Sequence, residues 1–262
     1  MQDYWVKQEA GKPLFPDLLW SRPENRNAAG KLLVVGGNAH GFAAAAEAFA
    51  EAGRAGGGRV RVLLPDSLQK TVGKVLEAGE YAPSTPSGSF SQRAMAELLA
   101  LSQWADGTLL AGDFGRNSET AILLEQFSQK YDGQLTVTQD ALDYFTKSPI
   151  TLIGRPETLV VASFAQLQKL ATGSGSTKAF KFDMTLLQLV EVLHDFSLEH
   201  PVAIVVKHLE NVLVALNGQV SSTKLAEDIE IWRIKTAAHA AAWWLQNPTN
   251  PFEALTTSLY QA

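Results

Sequence analysis

Residues 31–66 read KLLVVGGNAHGFAAAAEAFAEAGRAGGGRVRVLLPD, and this stretch decides the fold. Leu32, Leu33, Val34 and Val35 form a continuous apolar run, the pattern of a strand buried on both faces. Gly36-Gly37-Asn38-Ala39-His40-Gly41 follows directly, and the alanine-rich, proline-free segment from Phe42 to Arg54 predicts a helix. A second glycine run, Gly56 to Gly58, ends that helix, and Arg59 to Pro65 returns as a second strand. A sharp strand-to-helix turn sets the unpaired N–H groups of the helix's first turn over the strand's end. Anions bind there in α/β proteins, because both the free N–H groups and the helix dipole favour negative charge. Gly36, Gly37, Asn38, Gly41 and Ala43 are therefore candidate ligand contacts. The same glycines also suit a tight turn that needs them for geometry alone, and the sequence does not choose between the two. The spacing is not the dinucleotide fingerprint, since no acidic residue closes the second strand before Pro65.

Working outward, the strand–helix alternation repeats. Ala94–Trp104 predicts a helix, and strands are expected from Thr108, Leu135, Leu159 and Val202. Asn117–Gln129 predicts another helix, with Ser118 and Glu119 placed to cap its start. Phe164–Ala171, Thr185–Ser197 and Thr236–Gln246 read as further helices, and Asn217-Gly218 as a hairpin turn after Asn211–Leu216. Residues 1–30 read as an irregular lead-in with one short helix, and residues 79–91 as a loop rich in Pro, Ser and Gly. Unbroken strand–helix units from 31 to 262 predict one three-layer α/β/α domain with a mostly parallel sheet.

The chain has 262 residues, of which 46% are hydrophobic and 19% charged, as in an ordinary globular protein with a substantial core. A net charge of -5 without a Lys/Arg cluster argues against a nucleic-acid partner. The absence of cysteine excludes disulfides, thiolate metal sites and cysteine nucleophiles, and fits a cytoplasmic protein. No stretch has the length of a membrane span, and the N-terminus lacks an apolar signal core. The histidines show no metal-ligand spacing, so no metal site is expected from them. His239 finds no carboxylate at helical spacing and reads as a packed or half-exposed helix histidine. Trp243-Trp244 reads as core or as an interface in a homo-oligomer.

Two further loops end strands. Gly112-Asp113-Phe114-Gly115-Arg116 sets a carboxylate and a guanidinium at the sheet edge, and Asp140 follows a strand as a helix N-cap candidate. Lys207 closes a very apolar strand, either reaching a ligand or snorkelling to solvent.

In this order the elements resemble the ribokinase-like superfamily, and within it the ADP/ATP-dependent NAD(P)H-hydrate dehydratases. The stretch from Lys31 to Leu68 is similar to that family's strand, glycine turn, alanine helix and R-x-G-A-G-x-V return ending in P-E-S. LLAGDFGRNSET (109–120) resembles its GPGLGRDEET loop, and VTQDALDYF (137–145) its DADALNLL, with Asp140 on the second aspartate. VVKHLENVLVALNGQ (205–219) resembles its LKGAxTVIAxxDG, with Lys207 on the lysine, and NPFEAL (250–255) its DPFEAA. The resemblance runs over roughly residues 28–260. It implies a nucleotide ligand, ADP or ATP with Mg, contacting Gly36, Gly37, Asn38, Gly41, Ala43, Gly112, Asp113, Gly115, Arg116, Asp140, Lys207 and Asn211.

The departures fall on the chemistry. The family's GTGD turn cradles phosphate and supplies the acid–base aspartate, but the corresponding segment here reads EIWRIKTAAHAAAWW (230–244). The aspartate position falls near Ile234 or Lys235, and no glycine follows Gly218. The family's TPHPGE segment reads VASFAQ (161–166), with its histidine near Ala162. Three readings stay open. One is a divergent dehydratase relative, a hydro-lyase if active, that binds nucleotide with catalysis weakened or lost. The second is a non-catalytic ligand-binding or assembly protein, and the third a ribokinase-type carbohydrate kinase with Asp113 as its base.

Overall fold

The computed structural model describes residues 3–73, 76, 78–176, 178–225 and 232–260. The elements in chain order are β1 (Trp5–Gln8), α1 (Asp17–Trp20), β2 (Lys31–Gly36), α2 (Ala43–Arg54), β3 (Arg59–Pro65), α3 (Gln69–Val72) and β4 (Gly79–Ala82). Then come α4 (Met95–Trp104), β5 (Gly107–Gly112), α5 (Ser118–Lys130), β6 (Gln134–Thr138), α6 (Ile150–Ile153), β7 (Thr158–Ala162), α7 (Phe164–Gly173) and α8 (Leu186–Glu199). The hairpin strands β8 (Ala203–His208), β9 (Asn211–Leu216) and β10 (Gln219–Lys224) follow, and α9 (Trp232–Gln246) and α10 (Pro251–Ser258) close the chain.

The strands form one sheet in the order β1-β10-β9-β8-β7-β6-β5-β2-β3-β4. All neighbours are parallel except β8 with β9 and β9 with β10. Side-chain alternation sends Leu33, Val35 and Leu63 to one face, where they meet Leu98 of α4, Leu124 of α5, Leu167 of α7 and Leu189 of α8. Leu32, Val34 and Val62 face the other way, against Ala45 and Ala48 of α2, Ala237 and Ala241 of α9, and Leu255 of α10. Helices thus cover both faces, as parallel strands require. The buried alanines Ala45, Ala48 and Ala52 let α2 pack closely on α9. Trp243 is fully buried there, so it belongs to the core.

The lead-in holds a strand, since β1 pairs in parallel with β10. The segment expected to be a loop after residue 79 likewise contributes β4 at the opposite edge. Both are four-residue edge strands, too short for periodicity to reveal. Among the described residues no helix is long and apolar enough to cross a membrane.

Candidate functional site

The chain runs from β2 outward to β3 and β4, then returns to β5 on the other side of β2. The strand order therefore reverses between β2 and β5, and the crevice beyond the carboxyl ends of such a pair is where open α/β sheets bind ligands. The two glycine loops meet there. Gly37 donates its N–H to the Gly112 carbonyl at 2.9 Å, and Asn38 Nδ2 donates to the Asp113 carbonyl at 2.6 Å. A Cβ on Gly36 would stand 2.5 Å from the Gly112 carbonyl oxygen, so this glycine is needed for strand approach. Gly41 closes a tight turn with Asn38 and has open space where a side chain would go.

The anion position at the start of α2 is filled from within. Asp113 Oδ2 accepts the Ala44 N–H at 2.8 Å. Asp113 reaches it from a left-handed backbone, at φ +59°, after Gly112 at φ +122°. Ala43 lies in the same first helical turn, Gly115 packs 3.0 Å from Ser89 Oγ by its would-be Cβ, and Arg116 is exposed at the rim.

Asp140 lies in the first turn of the 3₁₀ helix Gln139–Phe145 and does not cap it. Its Oδ2 accepts the Phe114 N–H of the neighbouring loop at 3.0 Å, while Oδ1 is buried without a hydrogen-bond partner. Burial, and then the Asp113 carboxylate, push its pKa up, with nearby backbone N–H groups opposing. The helix after Arg116 is capped by Asn117, whose side chain accepts from Glu119 and Thr120 N–H groups, so the cap lies one residue before Ser118. Lys207 and Asn211 stand on β8 and β9; β8 is three strands from β5, roughly 14 Å at ordinary strand spacing.

A second polar cluster lies over β6 and β7, built from residues of the VTQDALDYF, VASFAQ and EIWRIKTAAHAAAWW segments that are not among the candidate site residues. Gln166 Nε2 donates to the Gln139 carbonyl at 2.7 Å and to Asp143 Oδ1 at 3.1 Å. Gln166 Oε1 accepts from Ser163 N at 3.2 Å and from Arg233 Nη1 at 2.8 Å. Ser163 and Gln166 form the capping box of α7, a signal present in the sequence as S-x-x-Q. Gln139 is left-handed at φ +55°, held there by this bond. Burial lowers the Arg233 pKa, with Asp143 and Asp140 pulling the other way. The two residues at the expected acid–base position point elsewhere: Ile234 is buried in the core, and Lys235 lies 3.5 Å from Glu47 of α2. Glu230 and Ile231 of the same segment lie outside the described residues.

No protein-family model matches the sequence, and no curated protein matches it. Solved structures do. A ribokinase-like superfamily protein from Enterococcus faecalis superposes with a TM-score of 0.72 at 14% identity, over 100% of this chain and 87% of that one. The fold is ribokinase-like. An ADP/ATP-dependent NAD(P)H-hydrate dehydratase from Bacillus subtilis, co-crystallised with ATP/Mg2+, gives 0.60 at 12% identity over 95% and 86% of the chains. Phosphomethylpyrimidine kinase from Clostridium difficile gives 0.52 at 11% over 87% and 96%. At these identities the likeness concerns the ribokinase-like fold and not the chemistry. Among the described residues no three acidic or histidine side chains converge. A phosphate at α2 would meet the Asp113 carboxylate, whereas the Arg233 guanidinium offers an oxyanion a partner.

Proposed function

We propose that this chain is a divergent ribokinase-like relative of the NAD(P)H-hydrate dehydratases. In this reading it binds a nucleotide or hydrated nicotinamide nucleotide at the sheet's carboxyl edge and has lost ADP/ATP-driven dehydration. The observation that carries this reading is the Asp113 carboxylate on the Ala44 N–H, which fills one anion position with a side chain of the protein itself. The composition of α9 supports it: Ile234 and Lys235 are committed to the core and to Glu47, so the described start of α9 supplies no carboxylate. In the kinase alternative Asp113 would act as base through Oδ1, its Oδ2 being held by the Ala44 N–H. A cytoplasmic setting, rich in nucleotides, belongs to this reading.

Thermal denaturation with ADP, ATP or NADPH tests it. A ligand that binds only the folded state at about ten times its Kd adds roughly 1.4 kcal/mol, raising the melting temperature about 2–4 °C at this size. Absence of any shift at millimolar ligand would contradict ligand binding and leave the assembly role.

A further inference from the structure

The segment between β4 and α4 closes over the switch point. Ser84 and Phe90 form an antiparallel bridge, and Ser91 N–H donates to the Pro83 carbonyl at 3.0 Å, so the two ends of the segment are tied together. Inside it, Thr85 N–H donates to the Ser89 carbonyl and Gly88 N–H to the Thr85 carbonyl, both at 2.8 Å. The result is a compact strap with its own internal bonds and a common root, able to move as one piece. Its tip is seated on three neighbours. Ala39 N–H of the first glycine loop and Ser67 Oγ, just past β3, both donate to the Gly88 carbonyl at 2.9 Å. Asn117 Nδ2, at the start of α5, donates to Ser87 Oγ at 3.0 Å. The seat is tight: a Cβ on Gly88 would stand 2.2 Å from Ala39 Cβ, and one on Gly115 would stand 3.0 Å from Ser89 Oγ. At these points the strap leaves no room for a ligand between itself and the β2 and β5 loops. The fastening at the tip is made of hydrogen bonds from small groups, while the apolar anchor lies at the root, where Phe90 meets Phe114 with ring centroids 5.9 Å apart. Segments that open at low cost are held in this way, with few buried apolar contacts at the part that moves.

We infer that the strap, residues 84–90, is a gate over the crevice between the β2 and β5 loops. A ligand reaches that crevice only when the tip lifts off Ala39, Ser67 and Asn117 while the root at Phe90 stays in place. The inference rests on the ligand-binding reading above and adds how access to that site is controlled. A gate of this kind sets the apparent affinity, because a protein whose crevice is open for a fraction of the time binds more weakly by that fraction. It also divides the hydrogen bonds into two sets. Lifting breaks the bonds of the seat and spares those inside the strap.

The test combines amide hydrogen exchange with equilibrium binding of ADP, on the full chain and on the double variant Ser67→Ala/Ser87→Ala. Both serines are exposed, and Asn117, which caps α5, is left untouched. In the wild type the Ala39 amide should exchange faster than the Thr85 and Gly88 amides inside the strap, and faster than amides of β2, which is paired on both sides. The variant loses two seat hydrogen bonds of ordinary net strength, so Ala39 exchange and ADP affinity should both rise about 5- to 100-fold, and by the same factor. Exchange in β2, which reports global unfolding, should not change. Ala39 exchange that the variant fails to accelerate would show a fixed loop and overturn the inference. Faster Ala39 exchange with unchanged ADP affinity would overturn the gate while leaving ligand binding intact. Faster exchange with no ADP bound by either protein would overturn the ligand-binding reading and the gate with it.

Discussion

Asp113 Oδ2 accepts the Ala44 N–H at 2.8 Å, so a side chain from the end of β5 caps the helix that follows β2. The bond joins the two strands across which the chain reverses direction. It also brings Asp113 toward Asp140, whose own carboxylate anchors the same loop at Phe114. A carboxylate at a helix N-terminus is favourable in itself, and two carboxylates near one another are not.

Replacing Asp113 separates these effects. Asp113→Asn keeps a side-chain acceptor for Ala44 and tolerates the left-handed backbone, so its cost should stay near the charge–dipole contribution of about 0.3–1 kcal/mol. Asp113→Ala loses the acceptor as well and should cost about 0.5–2 kcal/mol for the cap alone, before backbone strain. Urea denaturation measures both. In Asp113→Asn the Asp140 pKa should fall, because one of the two causes raising it is gone, and a carboxyl titration by NMR reads this directly.

The glycines of the first loop divide by role. Gly36→Ala forces a Cβ to 2.5 Å from a backbone oxygen and should destabilise by about 1–3 kcal/mol as an overpacking change. Gly41→Ala meets open space and should change stability by no more than about 0.5 kcal/mol. If Gly41 borders the ligand, its substitution weakens nucleotide binding without moving the melting temperature of the free protein. Equal destabilisation by both would contradict this division.

Two half-buried groups give opposite pH responses. The His239 pKa is lowered by burial, with the Glu51 carboxylate 3.0 Å away opposing and Arg22 and Arg54 adding to the lowering. The unfolded chain then binds a proton that the folded chain resists, so stability should fall as pH drops below about 6.5. His239→Gln should flatten that fall. Asp140 behaves in reverse: its raised pKa means the folded state holds the proton more tightly than the unfolded state. Its contribution is largest in acid and is lost as pH rises through its folded pKa. Asp140→Asn should therefore be at least as stable as wild type at pH 7, with the difference shrinking toward pH 3.8. A less stable Asp140→Asn at pH 7 would contradict the burial penalty.

Much of the scaffold is legible in the sequence because buried parallel strands announce themselves. The runs beginning at Leu32, Val60, Thr108, Leu135, Leu159 and Val202 lie within one residue of the observed strand starts. The switch-point loops are legible too, since Gly36, Gly37 and Gly112 mark places where backbones touch. What stays hidden depends on side chains reaching between elements distant in sequence. Nothing local says that Asp113 reaches Ala44, that Asp140 bonds Phe114 instead of capping its own turn, or that Glu51 meets His239. Gln166 shows as a capping-box residue, but its second task of holding Arg233 appears only when α7 and α9 are placed over β6 and β7.

The central claim is that this scaffold keeps a ligand site without the family's reaction, and a dehydration assay tests it most directly. Purified protein is mixed with hydrated NADH or NADPH and ADP or ATP with Mg2+, and the distinct absorbance of the hydrated nicotinamide is followed beside an active dehydratase. Acid–base catalysis contributes about 10²–10⁴-fold, and preorganised oxyanion donors a comparable factor. With Ile234 and Lys235 at the acid–base position and Asp113 on the α2 N-terminus, the expected result is no change above background. Robust nucleotide-dependent turnover that Asp113→Asn or Asp140→Asn abolishes would contradict the claim and show that the base had moved within the same site.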